Sequence, residues 1–197
     1  MAGRALSKCL PAATLALLLH CQAHVPERSE PALGAAAPPL SVSPGANLIG
    51  NGDFSHSAVP WAATALRADR STRRLEVQLR DGALCVSLPR QTGLILGWPV
   101  AGSPDHFPIA AGRRYQLSVR ASTGSAGLDC VAKVGHQLPP YTAVLAAPMH
   151  LTPSFQAFQF PFTAQRDDER AGVAVECLAR GPSDTEVCID DVAFVAL

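Results

Sequence analysis

Apolar and polar residues alternate with a period of two through most of the chain after residue 80. That is the signature of half-buried strands rather than of helices. Residues 82–88 put Leu84, Val86 and Leu88 on one face, and residues 114–121 put Tyr115, Leu117 and Val119 on one face. Residues 128–134 align Leu128, Cys130 and Val134, and residues 171–179 align Val173, Val175 and Cys177. Residues 155–163 carry Phe158, Phe160 and Phe162 on one face and Pro161 on the other, which marks an edge strand because proline cannot donate to a ladder. Residues 93–98 are apolar, residues 141–146 form a short strand, and residues 186–194 form the closing one. Turn signals separate these eight stretches and no long 3.6-period segment intervenes. The prediction is an all-β, two-sheet antiparallel sandwich of the jelly-roll type.

A jelly roll places strands one, eight, three and six in one sheet and two, seven, four and five in the other. The stretch 47–54 (Asn-Leu-Ile-Gly-Asn-Gly-Asp-Phe) is the natural companion of the closing strand, so the two ends of the fold should meet.

The start of the 197-residue chain has a different pattern. Arg4 and Lys8 precede an apolar run from Leu10 to Leu19, and Cys21-Gln22-Ala23 supplies small residues, the layout of a secretory signal over residues 1–23. The run is too short to span a bilayer. A lipoprotein signal ending at Cys21 is the rival, opposed by the bulk of His20. Residues 24–46, rich in Ala and Pro, read as a flexible linker, and residues 47–197 as the folded module. A secreted or periplasmic location follows.

Loss of such a signal leaves Cys85, Cys130, Cys177 and Cys188. In an exported chain four cysteines read as two disulfides with three possible pairings, and none has the close spacing of a zinc site. The jelly-roll order places Cys85 beside Cys188 and Cys130 beside Cys177, the pairing expected here. Formal net charge is zero, which gives no electrostatic reason for nucleic acid or an anionic membrane as partner. A monomer is expected.

Five segments together resemble the carbohydrate-binding modules of families 4, 9 and 22, within the galactose-binding-like jelly rolls. They are residues 47–54, 82–86, 111–121 (Ala-Gly-Arg-Arg-Tyr-Gln-Leu-Ser-Val-Arg-Ala), 155–162 and the closing Ile189-Asp-Asp-Val192. The resemblance implies a non-catalytic domain that holds a polysaccharide. It also implies a structural calcium near the first and last strands, with Asp53, Ser55 and Asp190 in the ligand positions. Ser55 stands where those families usually carry Glu, which removes a carboxylate from a site that needs six to eight oxygens. Asp190 and Asp191 can equally bond loop amides or an arginine.

Sugar recognition needs flat aromatic faces with polar side chains at their edges. Trp61, Trp98, Phe107 and Tyr141 are the candidate faces, and Arg67, Gln91, His136 and Gln137 the candidate edges. Tyr141, after Pro139-Pro140, is the favoured one; Trp61 can instead plug one end of the sandwich and Trp98 can be core. Lys133 and Glu176, outward on neighbouring strands, are a cross-strand pair lining a groove or an ordinary surface pair. Asp167-Asp168-Glu169, beside Arg166 and Arg170, reads as a solvated charged turn.

No nucleophile elbow, zinc-protease motif or phosphate loop is present. Asp129 and Glu176 are the single carboxylate pair worth setting across a cleft. The expectation is an exported, non-catalytic glycan-binding module working by stacking and hydrogen bonds. The alternatives are an envelope adhesion domain that binds protein and a small glycan-active enzyme.

Overall fold

The computed structural model describes residues 45–99 and 105–197. The expected signal at 1–23 and almost all of the linker lie outside them. The strands are β1 (Ala62–Leu66), β2 (Thr72–Leu75), β3 (Val77–Arg80), β4 (Ala83–Leu88), β5 (Gly93–Trp98), β6 (Phe107–Ile109), β7 (Arg114–Thr123), β8 (Leu128–His136), β9 (Ala143–Leu151), β10 (Gln156–Thr163), β11 (Asp168–Leu178) and β12 (Thr185–Ala196). One antiparallel sheet runs β2-β1-β5-β11-β8-β9, with β6 also paired to β11, and the other runs β10-β7-β12-β4-β3. The eight expected strands are β4, β5 and β7 to β12, and they divide between the sheets as the jelly-roll order requires.

Four strands escape the alternation rule. β1 (Ala-Ala-Thr-Ala-Leu) has little β-propensity of its own, β2 and β3 are arginine-bearing edges, and β6 is three residues long. They form because a neighbouring strand offers a ladder, which a local pattern cannot report.

The core lies between the sheets. Phe194 of β12 stacks on Tyr115 of β7 at 5.1 Å and on Phe107 of β6 at 4.7 Å between ring centroids. The Tyr115 hydroxyl, buried with its ring, accepts a hydrogen bond from the Ala110 N–H at 2.8 Å, so the polar end is satisfied. β10 is an edge strand, and its three phenylalanines are only partly covered.

The ends of the fold meet. Asn47 bridges Val195, and its Oδ1 accepts from the Phe194 N–H at 2.9 Å while Val192 N–H donates to the Gly52 carbonyl at 2.8 Å. Gly52 is required by closeness: a Cβ there would lie 1.9 Å from the Val192 carbonyl oxygen. Each sheet carries one disulfide between adjacent strands, Cys85–Cys188 joining β4 to β12 and Cys130–Cys177 joining β8 to β11. Cys130 and Cys177 belong to the main core, whereas Cys85 and Cys188 form a small separate cluster with Ala83.

Candidate functional site

The seven-stranded sheet turns one set of residues to the core and the alternate set outward. Register fixes which outward residues are neighbours. Arg74, Thr64, Ile95, Glu176, Val131 and Pro148 form one row across six strands. Beside it run Ala62, Gly97, Ala174, Lys133 and Ala146, then Gly172, Gly135 and Ala143. Glycine and alanine dominate these latter rows, so the surface drops there while larger side chains stand on either side. The result is a groove of about 520 Å³ lined by Thr64, Ile95, Lys133, Gln137, Tyr141 and Glu176 among others.

The depth has a steric cause. A Cβ at Gly172 would lie 2.4 Å from the Trp98 carbonyl oxygen and 2.7 Å from the Gln137 side chain, and one at Gly135 would lie 2.5 Å from the Thr142 carbonyl oxygen. On the floor Lys133 Nζ bonds Glu176 Oε2 at 2.5 Å, a diagonal pair between β8 and β11. Both side chains are about one-third exposed, so the pair presents a donor and an acceptor to the groove while neutralising each other. Glu176 also borders a second hollow of about 600 Å³ toward Asp129, His150 and Arg180. There His150 Nδ1 bonds Asp129 Oδ1 at 2.8 Å.

Tyr141 stands on the rim, 68% exposed, in a turn closed by its own N–H on the Leu138 carbonyl at 2.7 Å. Its φ of 52° lies in the left-handed region that bulky residues seldom adopt. Gln137, one of the candidate polar edges, lines the groove.

The other aromatic candidates are corrected. Trp61 and Trp98 are each only 3% exposed and lie in the core, and Phe107 is buried in the same cluster. Trp61 packs edge-on against Phe54 at 5.3 Å, and Trp98 stacks on Phe107 at 5.7 Å, because the inward positions of this small-residue sheet leave room for indole rings. Arg67 and Gln91 lie on exposed turns outside the groove lining.

Asp168 is a further correction. It is not part of a solvated turn: it begins β11, is 6% exposed, and accepts from His136 Nδ1 at 2.8 Å and from the Arg170 N–H at 2.9 Å through Oδ1. The bulge in the β11–β6 pairing between Asp168 and Ala171 turns its side chain inward. Nearby His106 has its pKa pushed below the ordinary imidazole value, first by burial and then by the charges of Arg170 and His136.

On the opposite sheet, Asp190 is 6% exposed and faces Arg120 in register across β12 and β7. Arg120 Nη2 bonds Asp190 Oδ2 at 2.6 Å, the Asp191 N–H donates to Asp190 Oδ1 at 2.8 Å, and Phe155 lies under the guanidinium at 5.0 Å. Asp53 is exposed and its Oδ1 accepts from the Ser55 N–H and hydroxyl, both at 3.3 Å. Both Asp190 oxygens are thus engaged, Oδ2 by Arg120 and Oδ1 by the Asp191 N–H. Among the described residues the one close group of three metal-type side chains is Cys85, Glu186 and Cys188, and its sulfurs are joined in a disulfide.

Sequence reading missed Thr64 and Thr72 because β1 and β2 were not legible. It missed Asp168 because nothing in a charged run tells which carboxylate turns inward.

No protein-family model matches the chain, and no curated protein matches it. Solved structures do. A carbohydrate-binding module of family 4 superposes with a TM-score of 0.57 at 24% identity, over 73% of this chain and 99% of that one. The N-terminal cellulose-binding domain of the Cellulomonas fimi β-1,4-glucanase C gives 0.53 at 25% identity, over 79% of this chain and 98% of that one. An arabinose-bound α-L-arabinofuranosidase gives 0.55 at 8% identity over 78% of this chain, but this covers only 27% of the enzyme. By architecture, strand order and these superpositions the chain has the two-sheet jelly-roll fold of these carbohydrate-binding modules.

Proposed function

We propose that the protein is an exported, non-catalytic module that holds a polysaccharide chain in the groove of the seven-stranded sheet. The observation that carries this reading is the composition of the groove. A small-residue floor is crossed by the Lys133–Glu176 pair and bordered by an exposed, locally strained Tyr141. A pyranose presents an apolar face and a rim of hydroxyls, and such a site offers a ring to the one and alternating donors and acceptors to the other. With Tyr141 as the one exposed aromatic lining the groove among the described residues, hydrogen bonds provide most of the grip. Similarity to a cellulose-binding domain supports a glucan among the first ligands to try.

Two disulfides support export. The carboxylates of the enzyme alternative are both engaged, Glu176 by Lys133 and Asp129 by His150, which supports holding rather than cleaving. On the opposite sheet we read Arg120 as supplying the positive charge that the resemblance assigns to calcium.

The test is affinity electrophoresis of the unreduced protein through gels containing barley β-glucan, xylan or β-1,4-galactan. Wild type should be retarded by at least one. Tyr141→Ala should weaken retention about three- to tenfold, a loss on the scale of one aromatic contact. Free migration of the wild type through all three would favour the protein-binding adhesion alternative. Release of reducing ends that stops in Glu176→Gln would restore the enzyme.

A further inference from the structure

His136 and Asp168 are not needed to explain the fold, and Asp168 sits in it awkwardly. A carboxylate this deeply buried is costly unless well paired. Oδ1 has its two donors, while the buried Oδ2 has no hydrogen-bond partner among the described residues. Through Oδ1 this carboxylate holds an imidazole.

The contact is specific to one ring nitrogen. In the neutral ring, an Nδ1 that donates to Asp168 leaves Nε2 as the bare acceptor. Nε2 has no partner among the described residues. The ring is partly exposed at the end of β8, where it lines both the groove and an adjoining hollow of about 410 Å³. Gln137 follows directly and Tyr141 borders the same end of the groove. The absent Cβ at Gly172 leaves the space in which the Gln137 amide lies.

We propose that His136 is a specificity-determining residue of the groove, with Asp168 as its positioning residue. Asp168 locks the Nδ1–H tautomer so that Nε2 accepts a proton-bearing hydroxyl of a neutral sugar residue whose ring lies against Tyr141. This rests on the glycan reading and deepens it. The acceptor at this end selects an unsubstituted hydroxyl: a methylated or acylated oxygen has no proton to give, and the imidazole would be left buried against it. The charged and titratable groups about the dyad are His106, Asp105, Arg166, Asp167, Glu169 and Arg170. Acidification therefore acts on binding through more groups than the dyad alone.

Two measurements on the intact, disulfide-bonded protein test it. Long-range ¹H–¹⁵N correlation spectra at pH 8 should show His136 protonated on Nδ1, and Asp168→Asn should abolish that preference. Affinity electrophoresis on the polymer that retards wild type should then show His136→Phe and Asp168→Asn each losing about tenfold. His136→Gln, which can return an acceptor near the Nε2 position, should recover part of the loss, and a methylated form of the polymer should be retained no better by wild type than by His136→Phe. An Nε2–H tautomer in the wild type, or equal retention of wild type and His136→Phe, would overturn the proposal while leaving the glycan reading standing. No retention of wild type on any polymer would remove the glycan reading and the hydroxyl-reading role with it.

Discussion

His106 shows how much one residue's surroundings decide. Its sequence neighbours, Asp105 and Phe107, give no hint of its titration. In the fold, burial and the charges of Arg170 and His136 hold its pKa below the ordinary value of about 6.5. The unfolded chain therefore takes up a proton here before the folded one does. The stability that His106 contributes is complete above about pH 6.5 and declines as pH falls below it. NMR titration should place its midpoint below the ordinary imidazole value of about 6.5, and Arg170→Gln should move the midpoint upward. A His106 midpoint at or above about 6.5 would contradict the burial that orders these causes. The same dependence on surroundings explains the tryptophans. The sequence leaves the indole after Pro60 open between surface and core and favours core for the one after Gly97. Inward registers next to Ala63, Leu94 and Leu96 leave volume that large rings fill.

At the scale of elements, the strands whose own pattern specifies them were legible, and those that borrow a neighbour's ladder were not. β7 and β11 announce themselves by alternation, while β1 and β2 do not, yet Thr64 and Thr72 on them complete the groove's far side. The pairing of β7 with β12 carries the prediction that belongs here. Their ladder shifts register between Asp190 and Ala193, with Asp191 at φ 47°, and the Arg120–Asp190 pair stands at the start of that irregularity. Arg120 is 44% exposed on its side chain, so the pair itself is worth little, but Asp190 without it would be a buried carboxylate with only the Asp191 amide. Arg120→Met should lower stability by about 1–3 kcal/mol. Thermal melts of the wild type should be the same in calcium and in EDTA, whereas a calcium-dependent rise confined to Arg120→Met would identify the guanidinium as the cation's substitute. A wild-type melt that falls in EDTA would instead restore calcium to Asp53, Ser55 and Asp190.

If the groove of the seven-stranded sheet holds polysaccharide, as proposed, the two disulfides should differ in what their loss does to binding. Strand order alone matched each cysteine to its partner, because a jelly roll makes neighbours of strands far apart in sequence. The bridges span 103 and 47 residues, for which loop closure gives roughly 5 and 4 kcal/mol of stabilisation. Against a typical total of about 5–15 kcal/mol, either loss is large, and the two are too close for loop length to distinguish them. Their positions do distinguish them. Cys85–Cys188 joins β4 and β12 in the sheet that carries no part of the groove. Cys130–Cys177 ties β8 to β11, the strands that bear Lys133 and Glu176, and both of its residues line the hollow beside that pair. The double variant Cys85→Ala/Cys188→Ala should lower the guanidinium midpoint yet keep wild-type retention on polysaccharide at temperatures where it remains folded. Cys130→Ala/Cys177→Ala should lose both, since freeing β8 from β11 loosens the diagonal on which the floor's donor and acceptor meet. Equal retention by the two double variants, each verified as folded by far-UV circular dichroism, would move the binding surface away from the β8–β11 floor.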